Sequence, residues 1–251
     1  MATFSQTALL GLALSWTTLL CAQEHGPAHW DYKGEAGPSH WGDLSSEFAT
    51  CKTGHNQSPI DIRHAQKADL PEIQFDYKPS PLHIIDNGHT VMVTYAAGSS
   101  IQVGDKRYSL KQFHFHQPSE EKIEGKSSDM VVHLVHADQD GNLAVVAILL
   151  KKGAASALVG QLWSHLPQEK GKEESPESVQ VNATDFLPQS RAYYTFQGSL
   201  TTPPCSENVT WFVLKHPSTI SATEIRDFGR LYSDNARPVQ ALNNRTVLES
   251  K

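Results

Sequence analysis

Gln112-Phe113-His114-Phe115-His116 and, after a polar link, Val131-Val132-His133-Leu134-Val135-His136 are the stretches on which the reading of this chain turns. Successive side chains of a β-strand point to opposite faces. Phe113 and Phe115 therefore enter the packing while His114 and His116 share the other face. The second stretch repeats the alternation, with Val131, His133 and Val135 on one face. Its link contains Gly125 and Ser127-Ser128, so an antiparallel return would bring His133 beside the first pair. By the same parity His136 falls on the opposite face, as a core or surface histidine.

Two imidazoles on one face can hold one metal ion, but an H-x-H alone more often marks exposed or core histidines. A third ring changes the balance. Three neutral nitrogens with no carboxylate or thiolate beside them suit zinc with a fourth position open, which is a catalytic arrangement. Glu120, four residues after His116, either ligates or orients a partner, and spacing leaves both open.

Outward from this centre, further strand-like stretches run from Thr90 to Tyr95, Ile101 to Val103, Leu143 to Lys151, Ala192 to Phe196 and Val209 to Lys215. Helical patterns are fewer. Ala154 to His165 is stopped by Pro167, and Ser221-Ala222-Thr223-Glu224 is a capping box with Ile220 and Ile225 placed as a staple. The charged segment from Gln168 to Ser178 reads as an exposed loop. Many strands and few helices predict one sheet-dominated domain. The 251 residues are 39% hydrophobic, which excludes a disordered or collagen-like chain, and the net charge of -6 without a long basic block argues against a nucleic-acid partner.

From Thr7 to Ala22 the chain is apolar or small and then turns polar at Gln23, the pattern of a signal peptide over residues 1–22, with residues 23–251 as the mature domain. The alternative is a buried N-terminal helix. The run is short for a bilayer span, so no stable membrane insertion is expected. If Cys21 leaves with the signal, Cys51 and Cys205 remain, and an even pair in an oxidising compartment is most simply one disulfide. Closing so long a loop is worth on the order of 5 kcal/mol in the chain-entropy model.

Asn56-Gln57-Ser58-Pro59-Ile60-Asp61-Ile62, Asn87-Gly88-His89, Gln112 to His116, Ser119-Glu120, His133 to His136 and Gly198-Ser199-Leu200-Thr201-Thr202-Pro203-Pro204 stand in an order that resembles the alpha class of carbonic anhydrases, in a bacterial-type exported form. The resemblance spans about Trp30 to Val247. It implies a single α+β domain built on a large, mainly antiparallel β-sheet with a few peripheral helices. It further implies reversible zinc-dependent hydration of carbon dioxide to bicarbonate and a proton, in the periplasm or secreted, with a homodimer left open.

By the same resemblance His114, His116 and His133 hold Zn2+, with Gln112 accepting from the ring of His114. Thr201 accepts the hydrogen of the hydroxide that attacks carbon dioxide and donates its own to Glu120. An ionised carboxylate only accepts, so that direction is forced. Thr202 lines the path, and Val135, Val145, Leu200, Val209 and Trp211 match the carbon dioxide pocket. His89, in the Asn87-Gly88-His89 turn, matches the proton shuttle, a task suited to an imidazole near neutrality.

Three positions depart from the pattern. Better-known members carry a Glu two residues before the third zinc histidine, where this chain has Val131; Met92 replaces a polar cavity residue; and Glu121 stands where many relatives have His. The strand therefore offers His133 no acceptor, and restoring one by Val131→Glu is expected to slow zinc loss. Two other readings compete. His114-Phe115-His116 with Glu120 is also the spacing of a cupin-type non-haem metal oxygenase, although the flanking glycines of that motif are missing. A catalytically inactive relative acting as a binding protein is the other.

Overall fold

Phe113 and Phe115 are fully buried, and the 11-residue strand that carries them, Lys106–His116, lies near the middle of a 13-stranded sheet. The computed structural model describes Met1 and residues 28–251; the expected signal peptide, apart from Met1, lies outside the described residues. Lys106–His116 pairs antiparallel with Met130–Ala137, which pairs antiparallel with Leu143–Lys152. Leu143–Lys152 then runs parallel to Glu207–Leu214, itself antiparallel to Tyr193–Ser199. On the other side of Lys106–His116 lie Val91–Thr94 and His83–Asp86. Most neighbours in the sheet are antiparallel, and the few helices sit at its periphery, which gives the expected α+β domain.

Alternation sorts the apolar residues into two clusters, one per face. Phe113, Phe115, Val132, Leu134, Val146 and Ile148 belong to the larger cluster. The helices Ala157–Trp163 and Ala222–Leu231 close over it with Leu158, Val159, Leu162 and Phe228. Val131, Val145, Ala147, Val209, Trp211 and Val213 form the second cluster on the opposite face. The three histidines share that second face, so the larger core serves as the rigid floor beneath them.

The capping box forms as expected: the Ser221 hydroxyl accepts from the Glu224 N–H while the Glu224 carboxylate accepts from the Ser221 N–H. Other boundaries differ from the sequence-based reading for local reasons. The helix expected from Ala154 begins at Ala157 because Ser156 caps it, its hydroxyl accepting from the Val159 N–H. The strand expected from Gln112 begins at Lys106, where a turn through Gly104 at φ +57° lets it pair with Ser100–Val103. Within the expected loop 168–178, Glu173–Glu174 adds a short strand against His83–Asp86, and His83 meets the Glu173 carboxylate at 2.8 Å.

Phe115 packs at ring-centroid distances of 5.0 Å from Trp163 and 5.8 Å from Phe186, directly behind the two histidines that flank it. Phe115→Ala should cost about 3–5 kcal/mol, the range for a large aromatic removed from a tight core. Equilibrium denaturant unfolding measures this, and a loss below about 1 kcal/mol would show that the floor does not depend on it.

Candidate functional site

The register places His133 directly opposite His114 and Val131 opposite His116. One nitrogen from each of His114, His116 and His133 lies within 4.8 Å of the others, and His116 and His133 are each 1% exposed. The opposite nitrogen of each ring is hydrogen-bonded, which settles which atoms converge. His114 Nδ1 meets the Gln112 side-chain oxygen at 2.8 Å, and His116 Nδ1 meets the Asn235 carbonyl at 2.7 Å. His133 Nε2 meets Glu121 Oε1 at 3.0 Å. Two Nε2 atoms and one Nδ1 are left facing each other, and His116 Nε2 is a buried atom with no hydrogen-bond partner. Such orphaned polar atoms are uncommon in protein interiors, and a cation is the group that would satisfy this set.

Burial, aided by the charge of His133, pushes His114 down to about 3, and burial likewise holds His116 well below the ordinary imidazole value. Both rings are therefore neutral, as metal ligation requires. Burial opposes the charged ring of His133 too, but Glu121 and Glu120 outweigh it and the net direction is upward. Glu120 approaches His116 Nε2 to 3.5 Å and His133 Nδ1 to 3.8 Å, and its Oε1 accepts from the Arg237 N–H at 2.8 Å. Burial raises Glu120 to about 7 against the pull of His133, and a hydrogen bond from Thr201 draws it down. Glu120 Oε2 is buried and has no hydrogen-bond partner.

An apolar wall stands one side-chain repeat away from the rings. Val135 lies opposite Val145, and Val145 opposite Trp211, in the row next to His114, His133 and Ala147. The Trp211 ring meets that of His133 edge-on at 5.0 Å. Val209 is buried in the same cluster, and Leu200 packs against it.

The turn bearing Thr201 and Thr202 is closed by Leu200 N–H to the Ser206 carbonyl and Cys205 N–H to the Thr202 carbonyl. Its entry is pinned by Ser58 and Ser199, each of whose hydroxyls accepts from the other's backbone N–H. A Cβ on Gly198 would stand 2.2 Å from the Ser58 hydroxyl and 2.8 Å from the Trp211 ring, so only glycine permits this approach.

A family model for eukaryotic-type carbonic anhydrase matches residues 36–251. A carbonic anhydrase of Nostoc sp. is 43% identical over 227 residues, covering 88% of this chain and 86% of the relative. A hyperthermostable carbonic anhydrase from an active hydrothermal vent chimney superposes with a TM-score of 0.86 at 46% identity, covering 89% of this chain and 100% of that one. The alpha-carbonic anhydrase of Thermovibrio ammonificans, solved with the inhibitor sulfanilamide, gives a TM-score of 0.86 at 42% identity over 90% and 100%. The chain belongs to the alpha-class carbonic anhydrases. It is an enzyme of that family, with carbon dioxide and bicarbonate as substrate and product.

Membership removes the cupin reading of Glu120, whose Oε1 is held by a backbone N–H. What orients His133 in the absence of an acceptor at position 131 is also visible in the structure. Val131 supplies none, but Glu121, from the loop after His116, reaches the ring. Parity along Met130–Ala137 could not reveal this, because the acceptor comes from outside the strand. His136 is a core histidine, fully buried, with its Nε2 at 2.9 Å from the Tyr77 hydroxyl.

Two site residues of this carbonic anhydrase had no visible motif. Asn235 holds His116 through its carbonyl, and its side-chain amide donates to the carbonyls of both Phe115 and His89. Arg237, 2% exposed, donates to the Gln57 side chain and to the Ser58 and Cys51 carbonyls. Cys51 is disulfide-bonded to Cys205 as expected, so the N-terminal arm and the Thr202 turn meet at the Arg237 guanidinium while Glu120 is held by the backbone N–H of the same residue.

His89 sits in a turn where the Asn87 side-chain oxygen accepts from the N–H groups of His89 and Thr90. Its ring stacks on Trp30 at 3.7 Å between centroids and 7° between planes. Burial holds His89 below the ordinary imidazole value, with Asp31 pulling upward and His29 and Lys170 adding to the depression. Loss of the water that would solvate the charged ring is what disfavours it, and the stacked Trp30 covers one face of that ring. Trp30→Ala should therefore raise the midpoint of His89 toward about 6.5, as read by NMR titration of the ring protons; an unmoved or lower midpoint would contradict the attribution to burial.

Proposed function

We propose that this enzyme hydrates carbon dioxide reversibly at a zinc ion held by His114, His116 and His133. The observation that carries the reading is the convergence of three ring nitrogens, two of them on fully buried histidines, whose opposite nitrogens are all engaged. Three imidazoles with a fourth position free are the donor set of a hydrolytic zinc centre, where the ion acidifies water enough to make a nucleophile available at neutral pH.

The protein's own groups set the geometry of attack. Donating its proton toward Glu120, the Thr201 hydroxyl is left with acceptor lone pairs only, so it admits a nucleophile carrying O–H and turns a lone pair of that nucleophile to the substrate. Arg237 N–H fixes the carboxylate toward which the Thr201 hydroxyl donates its hydrogen bond. Val135, Val145, Leu200, Val209 and Trp211 form the surface on which uncharged carbon dioxide rests, with Thr202 at its edge. His89, at the end of the Asn87 turn, takes the proton left behind and hands it to buffer.

The Cys51–Cys205 bond further supports an exported enzyme, periplasmic or secreted. Among the described residues no helix is long and apolar enough to cross a membrane.

Metal analysis with a stopped-flow hydration assay tests the centre. The parent should carry one zinc per chain, and His133→Ala should lose both zinc and activity, whereas His136→Gln should keep its zinc. Zinc retained in the first variant and lost in the second would reverse the ligand assignment. His89→Ala should lose turnover in weak buffer and regain it when imidazole is added at high concentration. Turnover unchanged in weak buffer would remove His89 from the proton path.

A further inference from the structure

The three rings are not held alike. His114 gives its ring proton to a neutral amide and His116 to a neutral backbone carbonyl. His133 alone gives its proton to a carboxylate, Glu121 Oε1, at 3.0 Å. Glu121 is 0% exposed, and its second oxygen has no partner. Burying an ionised carboxylate so thinly solvated is costly unless a charge nearby repays it, and the histidine cluster is where that charge would lie.

The backbone of Glu121 is clamped on both sides. Its carbonyl accepts from the Ser119 hydroxyl, which also accepts from the Ser128 N–H, and the Lys122 N–H donates to the Ile60 carbonyl. The carboxylate is thus aimed at the ring by the loop rather than reaching it by chance rotation. Meanwhile Val131, on the same strand face as His133, is fully buried among Ile60, Ile62, Phe196 and Trp211.

We infer that Glu121 is the positioning residue for the third zinc ligand, supplying from the loop the carboxylate that position 131 of the strand does not provide. The role is to fix His133 with Nδ1 toward the metal and to make the ring a stronger donor, which slows release of the ion. Glu121 touches neither substrate nor metal. The inference rests on the zinc reading above and adds that positions 121 and 131 are alternatives, of which one carries the carboxylate. It also reverses the expectation drawn from the sequence: Val131→Glu in the parent background would bury a second carboxylate against a single ring N–H, and so would not slow zinc loss.

The test is the rate of zinc release from the loaded protein to excess chelator at fixed pH, with the ring N–H resonances of the three ligands followed by NMR. Glu121→Ala should release zinc about 10–100-fold faster, the range for losing such a partner, and should move one of the three resonances while leaving the other two. Glu121→Gln keeps an acceptor without the charge and should fall between the parent and Glu121→Ala. It serves as the folding-safe variant, checked by thermal melting of the metal-free form. Val131→Glu alone should release zinc no more slowly than the parent, but combined with Glu121→Gln it should release zinc more slowly than Glu121→Gln alone. Parent-like release and unshifted resonances in both Glu121 variants would overturn the inference. So would slower release from Val131→Glu alone. A parent that binds no stoichiometric zinc would instead defeat the zinc reading itself.

Discussion

The site depends on one constraint, the antiparallel register that sets His133 against His114 across the Lys106–His116 and Met130–Ala137 strands. Directly opposed residues stand about 4.5–5.5 Å apart at Cβ, near enough for two rings to share one ion. A slip by one residue would carry His133 into the larger core and bring Val132 or Leu134 to its place. The phenylalanines prevent that slip. Phe113 and Phe115 are locked into an aromatic cluster with Trp163, Phe186 and Phe228, so the apolar face fixes the register that the polar face uses.

What the strands cannot determine is which nitrogen of each ring faces inward. That choice is made by acceptors from three separate places: Gln112 on the same strand, Glu121 in the following loop, and Asn235 far along the chain. Asn235 is itself restrained, through bonds to Gln117, Phe115 and His89. The division of labour is physical. A regular sheet gives spacing, whereas irregular segments give the varied directions from which ring protons must be met.

This division also explains how far the site was legible in the sequence. The two histidine strands were readable because period-two alternation is a local pattern, and the strand Met130–Ala137 contains the whole of the Val131 to His136 stretch. The Cys51–Cys205 pair followed from counting. The short strand Glu173–Glu174 was not readable, since it carries no apolar residue and is defined only by its pairing with Ile84 and Ile85. Asn235 and Arg237 act through a backbone carbonyl and a backbone N–H as well as their side chains, and main-chain roles leave no mark on residue type. Glu121 was visible as a departure from the family pattern, as was Val131, but that the one offsets the other became apparent only in three dimensions.

The bond from His116 to the Asn235 carbonyl joins residues separated by 119 positions. A chain still being synthesised or threaded across a membrane holds both histidine strands long before it holds the segment that orients His116. During that interval the ring is free to exchange tautomers, so a hairpin with all three histidines is still an incompletely prepared chelator. On the zinc reading, a fully oriented set of three ring nitrogens therefore exists only once the distal segment has docked. For an exported chain, the compartment in which it finishes folding, and not the one in which it is made, would then set which pool of ions the completed site meets.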